Sequence, residues 1–245
     1  HIAWSWVTPD PGGSTARLEM WAAGMDGSGP NTLVDQQLDL NQDGMRFLET
    51  LRFSADREFL YYGYSTIGLG GAWSSFYGRY DNLYRVAFTG GEPELIFDCQ
   101  TVDRFMCLGD FSEEAGLLAY VDNVEHVVKV TDWSGETLTT IEPPGADYVG
   151  YPVFGPAGEL AFVSADLDGL APRPGYISLV SPPFTELPRT ILRDDSVSVL
   201  WQWLDQEHLL FEHLLEQNVG TALVDTTGLI VGTWPFPNYL QSVLK

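Results

Sequence analysis

The chain has 245 residues, enough to bury a substantial core, and its 34 acidic and 12 basic residues give a formal charge of -22. That balance excludes nucleic acid as a partner, because holding phosphates needs a cluster of Lys and Arg that is missing here. Aromatics at 13%, with 25 Gly and 15 Pro, point to a β-rich, turn-rich protein, and no apolar run reaches the roughly 18 residues of a membrane span. An acidic surface of this kind fits solubility, cation binding or a basic protein partner.

In chain order, the sequence opens on strand-like residues from Ile2, with no signal-peptide pattern at His1. Any targeting or anchoring segment is therefore expected to lie outside it. The run MWAAGMDG (20–27) leads to a turn signal. Next comes Asp39-Leu40-Asn41-Gln42-Asp43-Gly44. Oxygen ligands at alternate positions, with glycine at the sixth, resemble a calcium loop built on Asp39, Asn41 and Asp43. Thr50 stands where a bidentate Glu would complete such a loop, and Phe47 where a further Asp would. An acidic turn between strands is the competing reading.

Residues 51–98 carry the clearest pattern. Phe53-Ser54-Ala55-Asp56 precedes the apolar run Phe59-Leu60-Tyr61-Tyr62, and YRVAFTGG (84–91) precedes ELIF. Between the halves lies a long excursion, 64–82, holding Trp73, Phe76, Tyr77, Arg79, Tyr80 and Asp81. Aromatic rings beside charges are the residue types of sugar-stacking and peptide-binding platforms. They also suit a loop folded back over the edge of its own sheet. Cys99 and Cys107 follow, eight positions apart, as either a disulfide or two buried thiols.

The same unit then returns. Phe111-Ser112-Glu113-Glu114 precedes Leu117-Leu118-Ala119-Tyr120, Phe154-Gly155-Pro156 precedes Leu160-Ala161-Phe162-Val163, and Trp203-Leu204-Asp205 precedes Leu209-Leu210-Phe211. Second halves recur as VKVTDWSG (128–135) and ALVDTTG (222–228), while Ser181-Pro182-Pro183-Phe184 replaces the glycine turn in the unit between. Gly90, Gly135 and Gly228 are spaced by 45 and then 93 residues, one period and two. Short runs at this period are what a propeller blade of four antiparallel strands requires. Residues 204–218 have helical propensity and helical apolar offsets, but their register with the other units predicts a strand. The stretch 165–175, rich in proline, is expected to be a rim loop beside 64–82.

The pattern FSADREFLYYGYS…NLYRVAFTGGEPELIF resembles the WD40-like PD40 repeat of TolB-type β-propellers, and the likeness covers nearly the whole chain. It implies an all-β, single-domain propeller over residues 1–245. Five blades are expected: 2–35 with 239–245, then 48–98, 103–143, 149–192 and 198–235. The C-terminal strand would close the first of them and remove a free edge. Six blades, with an N-terminal part missing, is the alternative count. The resemblance further implies a binding platform outside the cytoplasm, periplasmic, secreted or surface-attached. Such a platform would recognise a protein, peptide or glycan, as a subunit of a larger envelope or surface assembly.

Catalytic signals are sparse. His126, His208 and His213 sit beside strands without metal-ligand spacing, and there is no G-x-S-x-G elbow. A propeller-fold glycoside hydrolase or lyase is the rival reading; it would need carboxylates such as Asp39, Asp103 and Asp110 to converge, with at least one raised pKa.

Overall fold

Apolar residues alternating along runs of five to ten positions build strands, and almost every such run is one here. The computed structural model describes residues 1–40, 46–66, 78–168, 171–215 and 218–235. Among these it is all-β, with one short 3₁₀ turn at Cys99–Val102.

Five antiparallel sheets follow one another, each a meander in chain order. The first holds β1 (Ile2–Pro9), β2 (Thr15–Ala23) and β3 (Asn31–Asp39). The second holds β4 (Arg46–Phe53), β5 (Phe59–Thr66), β6 (Asn82–Ala87) and β7 (Glu94–Asp98). The third is β8 (Leu108–Ser112), β9 (Leu117–Asp122), β10 (Val127–Asp132) and β11 (Thr137–Ile141). The fourth is β12 (Tyr148–Phe154), β13 (Leu160–Asp168), β14 (Ala171–Val180) and β15 (Arg189–Arg193). The fifth is β16 (Val197–Trp203), β17 (His208–Leu215), β18 (Asn218–Asp225) and β19 (Ile230–Pro235). The first sheet has three strands among the described residues; the expected closing strand, 239–245, lies outside them.

The chain divides into two compact units, the first running through β7 to Leu108 and the second from Gly109 onward. In the first unit Leu18, Met20 and Ala22 of β2 pack with Leu33, Val34 and Leu38 of β3 and with Leu48, Leu60, Tyr62, Tyr64 and Val86 of the second sheet. In the second unit β13 shows why a middle sheet needs apolar residues on both faces. Ala161 and Val163 enter one core with Leu209, Phe211 and Val224, while Leu160 and Phe162 enter another with Val121, Val128 and Phe184. All four β13 residues are fully buried, and each large one contributes about 1.5–3 kcal/mol.

Three local outcomes differ from, or decide between, readings of the sequence. Within 204–218, residues 208–215 form strand β17, because Leu209 and Phe211, two apart, both reach the fifth sheet's core. Packing overrides helical propensity there. The proline-rich 165–175 stretch is not an open rim loop. It extends the β13–β14 hairpin, with Asp166 opposite Arg173 and Asp168 opposite Ala171. The third sheet starts at Leu108 rather than near 103, since residues 99–107 are taken up by a disulfide-closed loop.

Candidate functional site

The second sheet places its tyrosines by strand alternation. In β5, Tyr62 and Tyr64 are two apart and share a face, and antiparallel pairing sets Tyr84 of β6 directly opposite Tyr62. The Tyr62 and Tyr84 rings stack with centroids 5.3 Å apart and an interplanar angle of 13°. Tyr64 meets Tyr84 edge-on at 5.9 Å and 87°. Gly63 lets this arrangement form, because a Cβ there would come within 2.6 Å of the Asn82 carbonyl oxygen.

These rings form one wall of a pocket of about 540 Å³ in the first unit. Its other walls are Leu33, Val34, Asp35, Gln36 and Leu38 of β3, residues 91–93, Asn82, and Arg46 at the start of β4. The volume falls within the range of small-ligand clefts. The Tyr64 hydroxyl donates to Gln36 Oε1 at 2.5 Å, and Asn82 Oδ1 accepts from the Tyr64 N–H at 3.1 Å. Arg46 Nε is buried and has no hydrogen-bond partner among the described residues. Burial, then the neighbouring Tyr84, pushes the Tyr64 phenol up to about 12, against the opposing charge of Arg46. Tyr62 is raised by burial and by Tyr64 and Tyr84, and Tyr84 by burial and Asp98. All three are therefore neutral hydroxyl donors at neutral pH. At the mouth, Asp35 is held by Arg17 through bonds of 2.8 and 2.6 Å, and Glu92 is exposed.

Of the residues singled out in the sequence, Trp73, Phe76 and Tyr77 lie outside the described residues. Arg79, Tyr80 and Asp81 are in the first unit and serve as a strap. The Arg79 and Tyr80 N–H groups both donate to the Leu108 carbonyl, at 2.6 and 3.0 Å. Asp81 is 7% exposed; its N–H donates to Tyr64 O at 2.7 Å and its carboxylate accepts from the Met106 N–H at 3.0 Å. Cys99 and Cys107 are disulfide-bonded with Cα atoms 5.7 Å apart, and the Cys99 N–H donates to the Asp81 carbonyl at 2.9 Å. This strap ties the disulfide loop to β5.

Asp39 ends β3, while Asn41 and Asp43 lie outside the described residues. No group of three or more His, Cys, Asp or Glu among the described residues could hold a metal ion. Asp103 takes a left-handed backbone as the cap of the 3₁₀ turn, and the Asp110 carboxylate accepts from the Phe154 N–H at 2.9 Å. Glu212, on β17, is the one carboxyl among the described residues whose pKa is raised. Burial causes the shift, a hydrogen bond with Ser198 opposes it, and no neighbouring carboxylate contributes. One such group is not an acid–base pair.

The sequence reading missed the pocket. Alternating Tyr62 and Tyr64 were visible in FLYYGYS, but nothing along the chain marked Arg46, Gln36 or Tyr84 as their neighbours.

No protein-family model matches the chain, and no curated protein is similar enough to match by sequence. Solved structures do match. A TolB-type protein from Agrobacterium tumefaciens aligns over 96% of this chain and 82% of its own, with a TM-score of 0.52 and 13% identity. A protein of unknown function from Bacteroides caccae aligns over 94% and 80%, at 0.53 and 10% identity. Saccharomyces cerevisiae Sqt1 aligns over 95% and 57%, at 0.52 and 11% identity. With the five meander sheets, these likenesses fix the class: the fold is a β-propeller, and the sheets are its blades. The chain is a propeller scaffold, and no described helix is long and apolar enough to cross a membrane.

Proposed function

We propose that this propeller is a non-catalytic recognition module, and that the tyrosine-walled pocket between β3 and the second blade is its binding site. The pocket itself carries the reading: three neutral phenols, two side-chain amides and an arginine whose Nε is buried without a hydrogen-bond partner line one cleft. A cleft with a few convergent polar groups on an apolar wall is the usual form of a ligand site. The TolB-like fold and the disulfide support a place outside the cytoplasm, where thiols oxidise, and a protein, peptide or glycan as the partner. To this we add a calcium ion at Asp39, Asn41 and Asp43, proposed from the sequence pattern alone.

The test is direct binding. The immobilised chain is offered random hexapeptides and an array of neutral and acidic oligosaccharides. Capture is expected from one of them, falling at least about tenfold in Tyr84→Ala, since losing a stacking ring at a binding hot spot costs 2 kcal/mol or more. Tyr176→Ala, in the second unit, retains it. Capture that Tyr84→Ala leaves intact, or none from either library, defeats the proposal.

A further inference from the structure

We infer that the occupant of this pocket is the free C-terminal carboxylate of an extended peptide whose other residues are neutral or basic. The inference rests on the recognition reading above and adds the chemistry of the ligand.

Apart from the exposed carboxylates of Asp35 and Glu92, which also line the pocket, its unspent side-chain capacity includes several donors. Arg46 has five N–H donors and no acceptor, its Nε is buried without a partner, and it makes no ion pair with a described residue. The Tyr64 hydroxyl is already given to Gln36 Oε1, which leaves the Gln36 amide N–H groups. Asn82 Oδ1 is taken by the Tyr64 backbone, which leaves its NH₂. The Tyr62 and Tyr84 hydroxyls have no hydrogen-bond partner among the described residues. A buried N–H donor without a partner, such as Arg46 Nε, is costly unless something completes it. A carboxylate is acceptor-only, with about four lone-pair sites, and matches the guanidinium fork.

Two other guests fit less well. A quaternary ammonium would need open aromatic faces, but Tyr62 and Tyr84 cover each other at 5.3 Å, and Arg46 would repel it. An acidic polysaccharide would bring many negative charges against a chain of net charge -22, with exposed Asp35 and Glu92 at the mouth. A single carboxylate at the end of a neutral or basic chain avoids that repulsion, and basic residues behind it face the acidic mouth. Steering of this kind acts over about one Debye length, roughly 8 Å in physiological salt.

The experiment uses the full chain and N-acetylated random hexapeptides, made once as free acids and once as C-terminal amides. The acid pool is expected to bind at least tenfold more tightly, and Arg46→Gln to bring the ratio close to one. Arg46→Lys, which keeps the charge and loses the fork, falls between them. If Arg46→Gln does not fold, Tyr84→Phe keeps the ring, removes one donor and is expected to lower the ratio. Equal binding of both pools that is still sensitive to Tyr84→Ala overturns the carboxylate inference and leaves the recognition reading standing. Capture of acidic oligosaccharides but not of peptides overturns it in the same way. Capture of nothing removes both.

Discussion

At Gly228, in the β18–β19 turn of the fifth blade, the backbone φ is +94°, and a Cβ there would lie 1.8 Å from the Ile191 carbonyl oxygen of β15 in the fourth blade. Gly135 sits at the same point of the third blade with φ +88°, yet nothing approaches its missing Cβ within 4 Å. The two therefore separate conformational strain from collision. Gly135→Ala is expected to cost about 1–2 kcal/mol, the usual left-handed penalty. Gly228→Ala is expected to cost roughly 3 kcal/mol or more, because backbone must also move. Denaturant melts of both variants check this; equal costs would mean that the hairpin relaxes away from Ile191. Single residues also decide the pocket. Tyr62 and Tyr64 share a face by alternation, which the sequence displays, whereas Arg46 becomes their neighbour only through the pairing of β4 with β5.

Most blade elements were legible as runs and turns. Asp132 and Asp225 show why the second-half turns recur. Asp132 Oδ1 accepts from the N–H groups of Ser134 and Glu136, and Asp225 Oδ1 from those of Thr227 and Leu229. Each pattern is local, so a local signal finds it. The 204–218 segment was ambiguous for the opposite reason: its strand identity comes from where Leu209 and Phe211 are buried. The 165–175 stretch was misread because prolines signal loops, while Pro172 and Pro174 sit within a paired hairpin. The β3–β4 connection is where the proposed calcium ion would act. Adding calcium to metal-stripped protein is expected to raise the melting temperature, and chelator to reverse it; an unchanged melt removes the ion from the account.

For the whole molecule, the charge of -22 has a structural side as well as a solvation side. Asp26, Asp56, Asp132, Asp205 and Asp225 are turn residues whose pKa values are lowered by hydrogen bonds from their own turns. With folded pKa values below the unfolded ones, they contribute stability above the unfolded pKa, near 4, that is lost as pH falls through the folded values. Mutual repulsion among the acids acts the other way, is strongest at neutral pH and vanishes near the sequence pI of about 4.2. Added salt is therefore expected to raise the melting temperature at pH 7 and to lose that effect near pH 4. Below about pH 4 the melting temperature is expected to fall as the turn carboxylates protonate. A melt indifferent to salt at pH 7 would show that the charges are too dispersed to matter.

By itself the sequence determined what is local and periodic: strands of alternating or continuous apolar residues, their hairpin turns, the repeat of about 45 residues and the acidic surface. Those features follow from steric and hydrophobic rules that act within a few residues. Only the tertiary structure decided that Cys99 meets Cys107, that Asp81 turns inward to hold the disulfide loop, and that Arg46, Gln36, Asn82 and three tyrosines line one cleft. A site assembled from β3, β4, β5 and β6 depends on strand register and on one sheet packing against another. Those contacts join residues far apart in the chain, and no spacing along it records them.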